Sequence, residues 1–450
     1  MSSIQIKIPP GNWINEKTYA ARCVLSEFLG LAIGSISIGQ ASTWEIACDG
    51  NKLVFPNLFF PEDNPEKYLA AEHLPAEPYH WVDYAALGIT QGRDANSDLP
   101  FFWCNKPVSG IEDVDIFGTI FFFLSRYEEC VSGVRDSVNR FTADASIAGK
   151  VEIIHRPLVD EYVELLRRAL KEKFPGIALD QPDYRLLLSH DVDIPHSWLG
   201  ARRYKLVRAL ARNLIRDRSI RKAVDTAASY FDPQRDPVFC YDWIMSLAEK
   251  YGQRTSFYFL VNATDPYDIS YDLGAPPMRE LLQDIAARGH DIGLHGSFNS
   301  YADARMLLAE KQKLEFYVGK QVSGGRQHYL RFEVPTTWRA WDEAGFAFDS
   351  TLGFADRAGF RCGTAREYPV FDLQTSRVLN LRERPLICME HTLLDPDYQG
   401  LNMEQSYEYA TNLIDQVRRY GGNFTLLWHN HNLTTDAQRE LFAQMVKYAA

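Results

Sequence analysis

The sequence lacks the cysteine pattern of a disulfide-stapled protein or a structural zinc domain. Its seven cysteines are an odd number, are scattered over 450 residues and include no Cys-x-x-Cys pair. Disulfide frameworks and structural zinc sites need cysteines that pair or cluster at short spacings. The pattern is typical of reduced thiols, so we expect a cytoplasmic protein.

Long apolar runs and an excess of positive charge are also missing. The most apolar stretch, residues 116–124, is too short to cross a bilayer, which takes about 20 residues. The first residues show no cationic start followed by an apolar core, so no secretory signal is expected. A net charge of −11 argues against general affinity for nucleic acid. These absences favour a soluble protein that does not bind nucleic acid.

The length and a change of pattern near Pro182 predict two domains. A chain of 450 residues exceeds the usual size of a single core. We expect a smaller α/β accessory domain over residues 1–180 and a second domain over residues 181–450. In the second domain strand-like and helix-like runs alternate, which is typical of βα units around a parallel sheet or barrel.

Several elements of the first domain can be predicted from periodicity and turn signals. Asp49-Gly50 is a strong hairpin signal between two apolar runs. The charged end of an apolar helix, residues 125–129, is interpreted as a solvated helix terminus. The expected elements are a strand at 4–8, a helix at 19–29, a hairpin at 44–55, and helices at 116–129 and 157–173.

A basic segment interrupts the alternation in the second domain. Residues 201–222 carry nine arginines and lysines against one acid, Asp217, with leucines between them. We predict a basic amphipathic helix. Its charged face can be a solvated surface packed on the domain, or it can contact an anionic membrane surface or an anionic glycan.

Four short polar signatures interrupt apolar runs after Pro182. Residues at the carboxyl ends of parallel strands form a common mouth, so these distant signatures can converge in space. They are Ser189-His190-Asp191-Val192-Asp193, Gly289-His290-Asp291-Ile292-Gly293-Leu294-His295, the pair Arg331 and Pro335, and Trp428-His429-Asn430-His431.

The residue types in these signatures are those of a metal-dependent hydrolase. A carboxylate and imidazoles are an ordinary ligand set for zinc or a similar divalent ion. Of Asp191 and Asp193, one can bind the cation while the other contacts the attacking water, and His295 can supply an imidazole. Capping or a satisfied hydrogen bond is the plainer interpretation of any one residue taken alone.

At these positions the chain resembles the polysaccharide deacetylase superfamily (NodB homology, carbohydrate esterase family 4) over roughly residues 183–450. Ser-His-Asp-Val-Asp is similar to the first family motif, and the segment from Gly289 is similar to the second. The resemblance implies that Asp191 is the general base and that Asp193 and His295 bind the metal. Asn299 stands where the family has its second metal histidine.

The remaining two signatures resemble the last family motifs. Arg331, followed by Pro335, is similar to the arginine that lines the groove and orients the base. His429 in Leu427-Trp428-His429 is similar to the histidine that protonates the leaving amine, with one residue inserted. The residues before position 180 resemble the extra N-terminal domain of one branch of the superfamily.

The resemblance implies an irregular (β/α) barrel of the NodB deacetylase type behind an accessory α/β domain. It further implies a hydrolase of non-peptide C–N bonds, which removes an acetyl group from an amino sugar of a surface polysaccharide or its precursor. The expected cofactor is a divalent metal, and Zn²⁺ is the metal we expect. Two rival functions are a catalytically silent carbohydrate-binding relative and a hydrolase of another C–N bond.

Asn299 leaves the metal site open to three interpretations. Its amide oxygen can be the third ligand, although it binds zinc less readily than imidazole does. One of three other histidines can complete the site: His196, His328 or His431. The protein can also hold the metal loosely or not at all.

Overall fold

The computed structural model describes residues 4–60, 65–77, 79–82, 98–198 and 203–450. It contains a four-stranded sheet, a nine-stranded sheet and a short two-stranded ribbon, with helices around both larger sheets. Among the described helices, none combines the length and the apolar character needed to cross a bilayer.

The four-stranded sheet belongs to the N-terminal part and has the strand order β2-β1-β3-β4. In β1 buried isoleucines alternate with exposed polar residues, as predicted. The Asp49-Gly50 hairpin joins two antiparallel strands and is also confirmed. The strands are β1 (Ile4–Ile8), β2 (Ile33–Ile38), β3 (Thr43–Cys48) and β4 (Asn51–Pro56).

In the described residues of this part, five α-helices and a two-stranded ribbon accompany the sheet. The first helix continues through a π-helical segment, Cys23–Phe28, and the chain turns at Gly30 in a left-handed conformation. The helices are α1 (Ile14–Arg22), α2 (Ile116–Leu124), α3 (Tyr127–Val131), α4 (Ile147–Lys150) and α5 (Leu158–Lys173), and the ribbon pairs β5 (His80–Val82) with β6 (Leu99–Phe101).

The prediction of one helix over 116–129 with a solvated charged end is wrong. The helix ends at Leu124, and Arg126 adopts a left-handed conformation with φ of 54° before α3 begins. Arg126 and Glu129 are each only 1% exposed. Their charges are paired with each other at 2.7 Å, and Arg361 also pairs with Glu129 from far along the chain. Long-range ion pairing therefore draws this polar end into the interior.

The nine-stranded sheet has the order β12-β13-β11-β10-β9-β8-β7-β15-β14. All neighbours are parallel except β12 and β13, which form an antiparallel edge. The strands are β7 (Tyr184–Val192), β8 (Thr255–Phe259), β9 (Asp291–Gly296), β10 (Gly324–Gln327), β11 (Phe348–Asp349), β12 (Tyr368–Asp372), β13 (Arg377–Glu383), β14 (Cys388–Met389) and β15 (Gly422–Leu427).

Helices alternate with these strands, which confirms the predicted βα pattern. The basic segment forms two helices, because the helical conformation is interrupted between Asp217 and Ser219. Residues 201 and 202 of this segment lie outside the described residues. The helices are α6 (Arg203–Ala211), α7 (Ile220–Phe231), α8 (Tyr241–Lys250), α9 (Pro276–Ala287), α10 (Ala304–Val318), α11 (Thr336–Glu343), α12 (Glu390–Leu394), α13 (Met403–Tyr420) and α14 (Asp436–Ala449).

The mixed α/β class is confirmed, and the large sheet curls into a half-barrel. In the described residues its edge strands, β12 and β14, do not pair with each other. One cluster of buried apolar side chains includes residues from both sides of position 180. The division into domains at residues 1–180 and 181–450 stays a prediction.

Candidate active site and metal centre

The carboxyl end of β7 opens into a cavity of about 290 Å³. The strand includes Asp191, and Asp193 follows directly after its last residue, Val192. Both carboxylates line the cavity, together with His295, His328 and His429. The sequence signatures that follow β7, β9 and β15 therefore converge as predicted, because the three strands are parallel and end on the same rim.

Asp193, His295 and His328 form a group that could hold a metal ion. Their ligand atoms lie within 4.8 Å of one another, and among the described residues this is the group that has such an arrangement. The Nε2 atom of His295 lies 3.2 Å from Asp193 Oδ1, and that of His328 lies 3.5 Å from the same oxygen. Two histidines from different strands thus face one carboxylate oxygen.

The second nitrogen of each ring is held by an acceptor. Nδ1 of His295 lies 2.9 Å from the carbonyl oxygen of Arg326, and Nδ1 of His328 lies 2.7 Å from Asp268 Oδ1. Since a carbonyl oxygen can only accept, Nδ1 of His295 carries a proton, so in the neutral ring it is Nε2 that has the lone pair. Acceptors of this kind fix the tautomer and the ring orientation of metal-binding histidines.

A positive charge between the three groups would stabilise this arrangement. Asp193 Oδ1 is buried and has no hydrogen-bond partner in the described residues. If both rings present lone pairs to it, three acceptors face each other, and a cation relieves their repulsion. Burial lowers the pKa of His295, but Asp191 and Asp193 outweigh it and raise that pKa above its ordinary value. The residues therefore fit a divalent ion.

Asp191 lies beside the metal group and is held by Arg326, a residue the sequence reasoning missed. Arg326 Nη1 lies 2.8 Å from Asp191 Oδ1, and the guanidinium is fully buried. Its Nε donates to the carbonyl oxygen of Ser350 at 2.8 Å. These bonds leave Asp191 Oδ2 directed towards His295 Nε2, at 3.9 Å. One carboxylate oxygen is therefore anchored while the other faces the site.

Arg331 lies at a different place from the one expected. Its Nη1 donates to the backbone carbonyl of Phe298 and, at 3.3 Å, to Asn299 Oδ1. The guanidinium lies over the ring of Phe298 at 3.9 Å and over that of Tyr301 at 4.1 Å. Arg331 thus supports the loop after β9, and the bond to Asp191 comes from Arg326 instead.

Asn299, the predicted third ligand, is engaged on this same loop. Its amide nitrogen donates to the carbonyl oxygen of Thr264 at 3.1 Å, and its oxygen accepts from Arg331. Two of the alternative histidines do not belong to the group around Asp193. His196 faces Asp236 at 3.6 Å. His431 lines the cavity, but its ring lies 5.3 Å from that of His429. His328 is the alternative that the structure brings to Asp193.

His429 stands on the opposite side of Asp193 and forms a dyad with Glu390. Its Nε2 lies 3.7 Å from Asp193 Oδ2, and its Nδ1 lies 2.6 Å from Glu390 Oε1. Burial lowers the pKa of His429, but the Glu390 carboxylate outweighs it and raises that pKa to about 10. Burial likewise raises the pKa of Glu390, and the bond to His429 outweighs it and lowers that pKa to about 2. The dyad is therefore an ion pair at neutral pH.

The mouth of the cavity is lined by aromatic side chains and one arginine from the N-terminal part. Tyr267, Tyr329 and Tyr398 line it together with Arg140. Arg140 Nη1 donates to the carbonyl oxygen of Tyr329 at 3.1 Å, and its Nη2 donates to Tyr398 Oη at 3.1 Å. The segment before position 180 thus contributes directly to the opening of the cleft.

Comparison with known protein families gives a match for the N-terminal part. Residues 5–175 match a family of unknown function, DUF7033. No curated protein matches the sequence.

Solved structures are similar to this chain at low identity. One is a protein from Mycobacterium smegmatis described as a polysaccharide deacetylase, 16% identical, covering 60% of this chain and 84% of that one with a TM-score of 0.39. Another is an allantoinase, 15% identical, covering 61% and 86% with a TM-score of 0.39. A third is a CE4 family pseudoenzyme from Bacillus anthracis, 8% identical, covering 60% and 62% with a TM-score of 0.28.

Proposed function

We propose that the cleft hydrolyses the acetyl–nitrogen bond of an amino sugar in a surface polysaccharide or its precursor, with the help of one divalent metal ion. The observation that carries the proposal is the group formed by Asp193, His295 and His328, with Asp191 on one side and His429 on the other. A ligand set flanked by a carboxylate and a protonated imidazole supplies the base and the acid that acyl transfer from nitrogen needs.

Asp193, His295 and His328 would hold the ion, and their carboxylate and imidazole atoms suit Zn²⁺. A bound divalent ion supplies Lewis acidity, which polarises the acyl oxygen and lowers the pKa of water. His328 takes the ligand role that the resemblance assigned to Asn299. We propose that Asn299 acts instead through Arg331, as part of the loop that carries Phe298.

Asp191 is the proposed general base. Its Oδ1 is occupied by the buried guanidinium of Arg326, so its Oδ2 is the atom free to accept a proton from the attacking water. Arg326 also bonds to Ser350, which fixes the guanidinium and hence the direction of the carboxylate. A base held at one oxygen keeps its second oxygen aligned with the reacting atoms.

His429 is the proposed general acid. Its Nδ1 proton is held by Glu390, and its Nε2 faces the cavity from the side opposite Asp191. With a pKa of about 10, the imidazole carries its second proton at neutral pH. That proton can pass to the nitrogen of the departing amine as the acetyl–nitrogen bond breaks. The amine then leaves as a neutral group, and the acetyl group is released as acetate.

The acetylated sugar would lie against the aromatic mouth. Tyrosine rings and the guanidinium of Arg140 suit the apolar faces and the hydroxyl groups of a sugar ring. Tyr267 and Tyr329 are 48% and 38% exposed, so both rings are accessible from solvent. The sugar ring is therefore proposed to stack on these two tyrosines, with its acetamido group directed towards Asp193.

Metal analysis of the purified protein tests the ligand set. Elemental analysis should find about one divalent ion per chain in the wild type and strongly reduced metal in Asp193→Ala, His295→Ala and His328→Ala. Two matched controls should retain the ion: His391→Ala, which lines the same cavity but faces Asp395, and Asn299→Ala. Full metal in His328→Ala, or its loss in Asn299→Ala, would contradict the assignment.

Release of acetate from an N-acetylated oligosaccharide tests the reaction. Asp191→Asn should keep the metal and lose most of the activity, because an amide cannot accept the proton; removal of an acid or base usually costs about 10²–10⁴-fold. Bound metal and bound sugar without acetate release in the wild type would instead identify a catalytically silent carbohydrate-binding protein. An equal rate in Asp191→Asn would exclude its role as base.

A further inference from the structure

The basic segment folds into a helical hairpin that begins close to the cleft. Ile194, directly after Asp193, lines the cavity, and α6 begins at Arg203, nine residues further along the chain. The π-helical segment Arg212–Arg216 extends α6, and α7 returns antiparallel to the main body. Trp198 donates to Ser229 Oγ at 2.8 Å and so ties the base of the hairpin together. The hairpin therefore stands on the same rim as the site.

One face of the hairpin is apolar and exposed to solvent. Seven of the eighteen exposed large apolar side chains in the described residues fall within residues 204–231. Within each arm most of them are spaced by three, four or seven residues, which places them along one stripe of the helix. They are Tyr204 (60% exposed), Val207 (64%), Leu214 (50%) and Ile215 (77%) in the first arm, and Ile220 (75%), Val224 (60%) and Phe231 (79%) in α7. A concentration of this kind marks an interaction surface.

Basic side chains border the apolar stripe. Arg208, Arg212 and Arg216 recur every four residues along one edge of the first arm and are exposed. Arg218, Arg221 and Lys222 are exposed at the turn and at the start of α7, and the described partner of this group is Asp217, 3.3 Å from Lys222. The segment 201–222 carries nine basic residues and one acid in a chain of net charge −11. The positive charge is thus concentrated on the surface that exposes the apolar side chains.

We propose that the hairpin, residues 203–231, docks on an anionic lipid bilayer. The exposed aliphatic and aromatic side chains enter the boundary between headgroups and acyl chains, and the arginines and lysines contact the anionic headgroups, as in helices that lie in the membrane plane. A second copy of the chain is a poorer partner, because the like-charged hairpins repel each other. Nucleic acid would neutralise the basic residues but leave the apolar stripe without a partner.

Docking through the hairpin has a consequence for the cleft. Trp198, six residues after the strand that carries Asp191, is hydrogen-bonded to Ser229 of the hairpin. A docked hairpin would therefore hold the cleft close to the bilayer. The docking itself does not depend on which reaction the cleft performs, so the two can be tested separately.

Sedimentation with lipid vesicles tests the docking. The full chain should partition onto vesicles of phosphatidylcholine mixed with phosphatidylglycerol and remain in solution with phosphatidylcholine alone. High salt should release it, because the Debye length falls to about 3 Å at 1 M. Circular dichroism of each variant, recorded in solution, checks that the fold is intact.

Two sets of substitutions separate the charge from the apolar stripe. A triple variant at Arg212, Arg216 and Arg221, each changed to Gln, should lower the partition coefficient about 100-fold, since each basic residue near an anionic surface contributes about fivefold, or about 1 kcal/mol. The change of Ile215, Ile220 and Phe231 to Ser should abolish partition. Phe316→Ser, which removes an aromatic side chain 80% exposed on α10, is the matched control and should bind like the wild type.

Three results would overturn the proposal. One is equal partition onto neutral and anionic vesicles, which would show that the basic residues do not contribute to binding. Another is wild-type partition in both triple variants. The third is absence of vesicle binding together with a dimer, seen by light scattering, that the apolar triple variant loses, because the stripe would then be an interface between copies of the chain.

Discussion

Replacing Glu390 by glutamine tests whether His429 is the proton donor of the cleft. Glu390 is buried at 1% exposure, and its Oε1 accepts from the backbone nitrogen of His429 at 3.0 Å and from Asn432 Nδ2 at 2.9 Å, besides the ring nitrogen at 2.6 Å. Glutamine has nearly the same shape and can still accept these bonds. The substitution therefore removes the charge and leaves the geometry.

The expected change follows from the pKa of His429. With Glu390 ionised that pKa is about 10, so more than 99% of the imidazole is protonated at pH 7. Without the carboxylate the pKa of His429 should fall, because burial lowers it and only Asp193 and Asp191 still raise it. Activity should therefore decline at a lower pH than in the wild type, by about tenfold for each pH unit above the new pKa, and should recover on acidification.

NMR titration of ¹⁵N-labelled histidines measures the protonation directly, and a pH profile of acetate release measures its effect on the rate. Asp395→Asn is the matched control, because it removes the carboxylate beside the more exposed His391 on the same helix and should leave both curves unchanged. If His429 titrates at the same pH in the wild type and in Glu390→Gln, the proposed origin of its charge is refuted.

Three further predictions concern groups around the site and between the two parts of the chain. Arg326→Met leaves a buried carboxylate without its cation and should cost about 3–5 kcal/mol in the free energy of unfolding, measured by urea denaturation. Burial raises the pKa of Glu129, but the charges of Arg361 and Arg126 outweigh the effect of burial and lower that pKa to about 2. Glu129 therefore stabilises the fold above its unfolded pKa of about 4.3 and loses that contribution as the pH falls towards 2, so Glu129→Gln should be less stable at neutral pH and less sensitive to acid. Asp268→Asn should weaken metal binding about 10–100-fold, measured by calorimetric titration, because Asp268 orients His328.

Exposed counterparts of these residues serve as controls. Arg168→Met breaks a surface pair with Glu164 and should change the free energy of unfolding by about 1 kcal/mol or less. Asp265→Asn alters a carboxylate of the same loop as Asp268 and should leave metal affinity unchanged. Buried and exposed substitutions with equal effects would refute the assigned ion pairs, and unchanged metal affinity in Asp268→Asn would refute its role towards the histidine.

The sequence was most informative where a recognisable strand leads into a polar residue. Asp191, Asp193, His295 and His429 follow strands with clear apolar runs, and the structure brings all four to one cavity. Parallel strands that end on one rim explain this agreement. Their chemical roles stay predictions until metal and activity are measured.

His328 and Arg326 lie at the end of β10, and here the sequence signal is weak. This strand is Gly324–Gln327, Gly-Gly-Arg-Gln, and contains no β-branched or aromatic residue to mark it. Glycine suits the position because a Cβ on Gly325 would lie 1.8 Å from the carbonyl oxygen of Leu294 on the neighbouring strand. Close packing of β10 against β9 thus requires glycine where a strand would usually have a β-branched or aromatic residue. The sequence signal that identifies a strand is therefore missing.

The buried partners of the site could not be predicted, because they come from distant parts of the chain. Glu390 approaches His429 from 39 residues away, and Asp268 approaches His328 from 60. Spacing in the sequence contains no signal for such pairs, since only the fold brings them together. The same holds for Arg361, which meets Glu129 across 232 residues and turns an expected solvated helix end into a buried one.

The two oxygens of Asp193 divide the site by function. Oδ1 faces Nε2 of both His295 and His328, whereas Oδ2 faces Nε2 of His429 at 3.7 Å. In all three histidines Nδ1 is bound to an acceptor, so it is Nε2 that each ring presents to the carboxylate. The two ring nitrogens on the Oδ1 side suit a cation, and the one charged ring on the Oδ2 side suits proton donation. A single carboxylate can therefore hold a metal ion and keep the protonated imidazole at a fixed distance from it, which is the separation of ligand and acid that hydrolysis of an amide requires.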